Sequence, residues 1–168
     1  MSVQVGIVAT VAALLLPATA CSSGGSPNLE ANKELILRVH RDLWSEGNLE
    51  VLDDLIGPDF VGHAPIGADW IGSEGLRERI VAHRATFPDW SEEVKALVAE
   101  GDLVAVRFTS TGTDEGGFRG NVATGRRVEI QEYAIYRVAK GRVVEQWVLP
   151  DLLGLQQQLG QVHPSPSG

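Results

Sequence analysis

Four histidines, two tyrosines and the carboxylates are the side chains of this 168-residue chain suited to proton transfer near neutral pH. His63 follows a short extended segment. It reads either as an acid–base group in a pocket or as a loop histidine holding one backbone hydrogen bond. His40 is read on a polar helix face, His83 as solvated beside Arg79 and Arg84, and His163 in the C-terminal tail. Scattered histidines with no cysteine partners give no metal signature, so no metal is expected. Asp114 offers a carboxylate inside a Gly-rich connection, as a site group or simply solvated. Tyr133 offers a hydroxyl donor.

Trp70, Phe87, Trp90 and Tyr133 are the aromatic side chains that can wall a pocket for a flat apolar ligand, although Phe87 and Trp44 equally suit a core. Arg107 interrupts the alternation Val104, Val106, Phe108 and faces away from it. It is either a pocket cation for an anionic ligand or the partner of Glu129 or Glu132.

The elements that must position these groups follow from periodicity. Leu35, Ile36, Val39, Leu43 and Trp44 recur at helical spacing over residues 28–46, and Gly47 stops the helix. Leu49 to Ile56 gives a second short helix closed by Gly57-Pro58, and Phe60 to His63 is extended. Residues 64–72 are a loop. Ser73 is expected to cap a helix that carries Leu76, Ile80, Val81 and Phe87 and ends at Pro88. The period then becomes two. Strands are expected over Val94–Glu100, Leu103–Thr111, Arg127–Val138 and Val143–Leu149, with tight turns at Gly101-Asp102 and Lys140-Gly141. Gly112 to Arg126 reads as a flexible connection, and Asp151–Leu159 as a final helix. Helices first and strands afterwards predict an α+β domain with an antiparallel sheet. A two-residue turn at Lys140-Gly141 pairs Ala139 with Arg142. It sets Tyr133 opposite Val148, Ile135 opposite Gln146 and Arg137 opposite Val144. On the other side lie Glu132, Ala134, Tyr136, Val138, Val143, Glu145, Trp147 and Leu149.

The chain is 43% hydrophobic and 21% charged with net charge −8, and its first basic residue is Lys33, which argues against nucleic-acid binding. Val3 to Leu16 is almost wholly apolar, and Ala18-Thr19-Ala20 precede Cys21 and a Ser/Gly/Pro stretch. Residues 1–20 read as a signal peptide and 21–28 as a flexible tether, with Cys21 as the lipidation site of a bacterial lipoprotein. Simple secretion and an uncleaved anchor are the competing readings. The folded domain is placed at 29–161 and a disordered tail at 162–168.

Gly47-Asn48-Leu49, Asp59-Phe60-Val61 with His63, Gly72-Ser73-Glu74-Gly75-Leu76, Phe87-Pro88-Asp89, Glu100-Gly101-Asp102, Thr124-Gly125-Arg126-Arg127 and the hairpin ending Glu145-Gln146-Trp147 occur in one order. In that order they resemble the SnoaL-like polyketide (ester) cyclases of the nuclear transport factor 2-like superfamily, over about residues 29–161. The resemblance implies a curved antiparallel sheet that wraps the helices into a cone open at one end. It also implies a cofactor-independent aldol ring closure of a polyketide ester. It places Gln146 and Val148 on the pocket face, where relatives usually carry His and Asp, and Asp114 where relatives carry His after Gly-Thr. Neither Gln146 nor Val148 can titrate.

Two functions follow. One is an enzyme using His63, Tyr133 or Asp114 for proton transfer on an apolar carbonyl compound, with Trp70, Phe87, Arg107, Ile135, Gln146 and Val148 lining the ligand site. The other is a non-catalytic binder of an apolar ligand, tethered to the membrane through Cys21. A homodimer through the back of the sheet is expected in either case.

Overall fold

The structure is a computed structural model that describes residues 28–63 and 66–162. The expected signal segment, Cys21 and the tail beyond residue 162 lie outside the described residues. Helix α1 (Leu29–Arg38) starts at Asn28, whose side-chain oxygen accepts from the Ala31 amide. It runs on without a break as a π-helix over Val39–Ser45. This wider winding accompanies a local demand, since the Ser45 hydroxyl donates to the His40 carbonyl and accepts from the Glu92 amide. Gly47, at φ +68°, turns the chain out. A 3-10 turn (Leu49–Val51) leads into α2 (Leu52–Leu55) and strand β1 (Ile56–His63).

After β2 (Trp70–Ile71) comes α3 (Gly72–Thr86). It begins one residue before Ser73, and no side chain caps it; Gly72, at φ +73°, makes the turn instead of the expected Ser73 cap. Strands β3 (Ser91–Glu100), β4 (Leu103–Thr113), β5 (Arg127–Ala139) and β6 (Arg142–Pro150) follow, each one to three residues longer than expected. Helix α4 (Leu152–Gln158), capped by Asp151, closes the fold.

The six strands form one curved sheet in the order β2-β1-β6-β5-β4-β3. Every pairing is antiparallel except β1 with β6, which is parallel. The helices fill its concave side. Ile36, Val39, Leu43, Leu52, Leu55, Leu76 and Ile80 pack there against Val104, Phe108, Tyr136 and Val143. No helix among the described residues is long and apolar enough to cross a membrane.

The β5–β6 register departs from the expectation in one respect that decides the site. The turn has Lys140 and Gly141 both at positive φ, and Ala139 faces Arg142, as the two-residue turn requires. Val138 then faces Val143, but Arg137 faces Glu145, so Val144 is an extra residue, a β-bulge. Beyond it Tyr136 pairs with Gln146, Ala134 with Val148 and Tyr133 with Leu149. A one-residue slip exchanges the faces of a strand relative to its partner. Tyr133 and Ile135 therefore stand on the convex outer surface, 54% and 44% exposed. Glu132, Tyr136, Val138 and Val143, expected on the back, are buried inside.

Candidate active site

A cavity of about 390 Å³ lies between α3, the sheet and the β4–β5 connection, within the range of small-molecule sites. Trp44, Trp70, Phe87, Trp90, Phe108 and Phe118 supply aromatic wall. Tyr136 and Gln146 lie buried at its floor, while Ile66, Arg79, Arg119 and Gly120 are exposed where it opens.

The polar part of the floor is one directed network. Glu92 accepts from the Trp90 indole N–H at 3.1 Å and from His40 Nδ1 at 2.5 Å, so both carboxylate oxygens act as acceptors and His40 carries its proton on Nδ1. His40 Nε2 lies 3.2 Å from the Tyr136 hydroxyl, and Gln146 Nε2 donates to that hydroxyl at 3.3 Å. With Gln146 donating to the phenol oxygen, the phenol proton is free to go to His40 Nε2. Burial, together with the charges of Glu92 and Glu132, holds the Tyr136 phenol well above its usual value, so it stays protonated and serves as a donor.

Glu132 is the unusual group. It sits on the inward face of β5 between Ile130 and Ala134, opposite Pro150 on the neighbouring strand, and is 7% exposed. Its Oε1 has no hydrogen-bond partner. Burial is the main cause, and the nearby Glu92 charge the second, that push its carboxyl up to about 8, against weaker opposition from Ser110 and Arg79. Although Ser110 opposes the rise, no hydrogen bond of regular geometry joins it to Glu132, and its hydroxyl is also unpartnered. His83 is the converse case. Burial, helped by Arg79 and Arg84, pulls it down to about 3, so it is neutral, and its Nε2 is shut off from solvent without a partner.

The structure places the expected site residues as follows. Trp70, Phe87, Gln146 and Val148 line the cavity. Tyr133 and Ile135 do not, because the Val144 bulge turns them outward. Arg107 also lies on the convex face, where it donates to Gln131 rather than to Glu129 or Glu132. His63 stands outside the cavity, one-third exposed, between Asp69 (3.1 Å) and Glu145 (3.0 Å) and stacked on Trp147. The Glu145 contact first, then Asp69, raises its pKa. Asp114 is fully buried, but its carboxylate is engaged in a local knot, accepting from the Gly117 amide and from the amide and hydroxyl of Thr124. That knot and the bonds of Glu115 and Gly116 to the Thr86 carbonyl hold the connection expected to be flexible.

Glu92, Tyr136, His40 and His83 were not expected in the site. The sequence reading puts His40 and His83 on polar or solvated faces; His40 is buried instead, and His83 is half-buried with its Nε2 enclosed. Their signal is in the sequence nonetheless. His40 shares the helical stripe of Ile36, Leu43 and Trp44, and His83 that of Leu76, Ile80 and Phe87. Glu132 interrupts the inward row Val128, Ile130, Ala134, Tyr136, Val138.

The profile of the SnoaL-like polyketide cyclases matches residues 34–159. The aklanonic acid methyl ester cyclase DnrD of Streptomyces peucetius is 28% identical over 130 residues, covering 77% of this chain and 80% of the relative. Two solved structures share the architecture. A SnoaL-like protein from Jannaschia sp. CCS1 has a TM-score of 0.75 at 25% identity over 83% of this chain and 98% of its own. TsrD from Streptomyces laurentii has 0.71 at 30% identity over 79% and 97%. With the matched profile spanning most of the chain and the cone-shaped fold in place around an aromatic cavity, this protein belongs to the SnoaL-like polyketide cyclase family.

Proposed function

We propose that the protein closes a ring in an apolar polyketide-like carbonyl compound by an intramolecular aldol reaction, with Glu132 as the acid–base group. The observation that carries this reading is a buried carboxyl, raised to about 8, that lines the cavity with Val148 and stands one inward position along β5 from Ala134, the partner of Val148. Where relatives present an acid from β6, this chain has a valine, and the neighbouring strand supplies the carboxyl instead. A base held near neutrality combines a usable ionised fraction with real basicity.

In the reaction, ionised Glu132 takes a proton from the carbon next to a carbonyl. The enolate carbon attacks a second carbonyl carbon of the same molecule, a C–C bond forms, and the C=O pair moves to oxygen. Tyr136 turns its single O–H from His40 Nε2 to that oxyanion, while Gln146 keeps donating to the phenol oxygen. The proton on Glu132 returns to the alkoxide, so no atoms are gained or lost. Aromatic walls exclude water from the enolate.

Aklanonic acid methyl ester, the compound in the names of two relatives, is the first substrate to try. The expected kcat/KM rises with pH and levels off above about 8, as Glu132 ionises. Glu132→Gln should lose about 100-fold or more with the fold intact. Ligand binding without turnover in the wild type would favour a carrier on the same fold. Export and attachment through Cys21 belong to this proposal, supported by the apolar run Val3–Leu16 and the small residues before Cys21. Cys21→Ser should move the protein from the detergent phase to the aqueous phase in a partition experiment; equal partition of both forms argues against lipidation.

A further inference from the structure

The hydrogen bonds on the cavity floor run in one direction. Ionised Glu92 only accepts, so His40 carries its proton on Nδ1 and leaves Nε2 as an acceptor. Tyr136 meets that nitrogen at 3.2 Å, and Gln146 donates to the phenol oxygen at 3.3 Å. Tyr136, Gln146 and Glu92 line the cavity, whereas His40 does not. A ligand therefore reaches the imidazole through the Tyr136 hydroxyl. Glu92 offers no shorter route, because Trp90 and His40 already occupy its two oxygens.

The Tyr136 hydroxyl has one proton and two acceptors to serve. When it turns to a ligand oxygen, His40 Nε2 is left buried and bare, which is unfavourable. A proton on Nε2 removes that loss, because the ring then donates to the phenol oxygen. An acidic O–H on the ligand supplies it. The ligand passes its proton to the Tyr136 oxygen while Tyr136 passes its own to Nε2. The ligand is left as its anion, His40 becomes an imidazolium, Tyr136 ends protonated as it began, and no proton enters or leaves. The imidazolium forms 2.5 Å from Glu92, with the two side chains 2% and 6% exposed, so its charge is paired rather than isolated. Carboxylate, imidazole and hydroxyl in this order are the arrangement by which a serine triad draws a proton from its hydroxyl. Here burial keeps the phenol from ionising, so the hydroxyl hands on the ligand's proton instead of losing its own.

We propose that Glu92, His40 and Tyr136 form a relay that ionises an acidic hydroxyl on the ligand, so that the site takes a phenol, or the enol form of a carbonyl compound, and holds it as the anion. His40 and Glu92 act through Tyr136, as positioning residues. The proposal rests on reading Tyr136 as the donor to a ligand oxyanion, and it is independent of which group removes the carbon proton.

4-Nitrophenol tests it, because its anion is yellow and its neutral form is not. The full-length protein is titrated with it at about pH 6, where the free phenol is mostly neutral. Glu132, raised to about 8, already carries its proton there and cannot accept another. The bound phenol should be yellow, with anion absorbance about 10-fold above that of the same amount free in buffer. Glu132→Gln should keep the colour. Tyr136→Phe and His40→Gln should bind the phenol without it. His40 is buried and its replacement puts folding at stake, so nitrogen-15 NMR of histidine-labelled wild-type protein is the second measurement. His40 is identified by its ring contact with Phe108 at 4.4 Å, and its Nε2 should change from a bare ring nitrogen to an N–H as the phenol binds. Colourless binding, no binding, colour that survives Tyr136→Phe or a folded His40→Gln, or an Nε2 that stays bare in the coloured complex overturns the proposal. Colourless binding beside lost turnover in Glu132→Gln sinks this inference alone; a coloured complex beside undiminished turnover in Glu132→Gln sinks the catalytic reading alone.

Discussion

Glu132, buried, and His83, half-buried with its Nε2 enclosed, are two titratable side chains with opposite effects on stability. Glu132 ionises near 4.5 when unfolded and near 8 in the native protein. Between those values the native state keeps a proton that the unfolded chain has lost, so stability falls as pH rises, by about 1.4 kcal/mol per unit. His83 ionises near 6.5 unfolded and near 3 folded, so the unfolded chain holds the extra proton and stability climbs with pH over that window. The two slopes cancel between about 4.5 and 6.5. Urea unfolding across pH 3–9 should show this plateau. Glu132→Gln should abolish the alkaline decline, and His83→Phe the acid one; an unchanged profile in either variant would show that the group is not buried as described. Asp114 is a structural residue by the same standard. Asp114→Ala removes three acceptor contacts from a buried carboxylate and should cost about 2–4 kcal/mol. Calorimetry checks this.

At the scale of elements, the π-helical segment and strand β3 act as one clamp. Ser45 joins the His40 carbonyl to the Glu92 amide, which brings the His40 imidazole onto the Glu92 carboxylate and toward Tyr136. On the β4 side, Gly112 gives Trp90 its place, since a Cβ there would lie 2.7 Å from the indole and 3.2 Å from Phe87. Gly112→Ala should therefore displace Trp90, release its bond to Glu92 and destabilise the fold by about 1–3 kcal/mol. A blue-shifted or quenched tryptophan emission with a lowered melting temperature is the expected reading. An unaltered spectrum and midpoint would show that the neighbours yield without cost.

At the scale of the molecule, the convex face of the sheet bears Val98, Tyr133, Ile135 and Leu149, each at least 44% exposed. Its rim carries both signs of charge, Lys95 and Arg107 with Glu93 and Glu129. A surface with an apolar centre and a rim of mixed charge can pair with itself across a two-fold axis, so a second copy is the occupant we propose. Trp147 is a poor probe of this face because it also holds His63 and Arg137. Tyr133→Glu and Leu149→Glu are cleaner. Sedimentation should give a dimer for the wild type and a monomer for the double variant; a monomeric wild type ends the idea.

Periodicity in the chain determined the helices, all four long strands and their order, because apolar spacing of 3.6 and 2 is a local property that burial reads directly. The ordered motifs determined the family, and alternation put Gln146 and Val148 on the cavity side. Tertiary structure alone decided what stands opposite them. The bulge at Val144 adds one residue to β6, and with a period of two that single residue exchanges Tyr133 for Tyr136 and brings Glu132 inside. His63 and Asp114, chosen for their chemistry, are held by neighbours distant in sequence or by their own loop. His40 and His83 lie on apolar stripes that were legible. Only the packing of β3, β5 and α3 could enclose them, and at His83 that enclosure lowers the pKa, which depends on what surrounds a group and not on the residue that carries it.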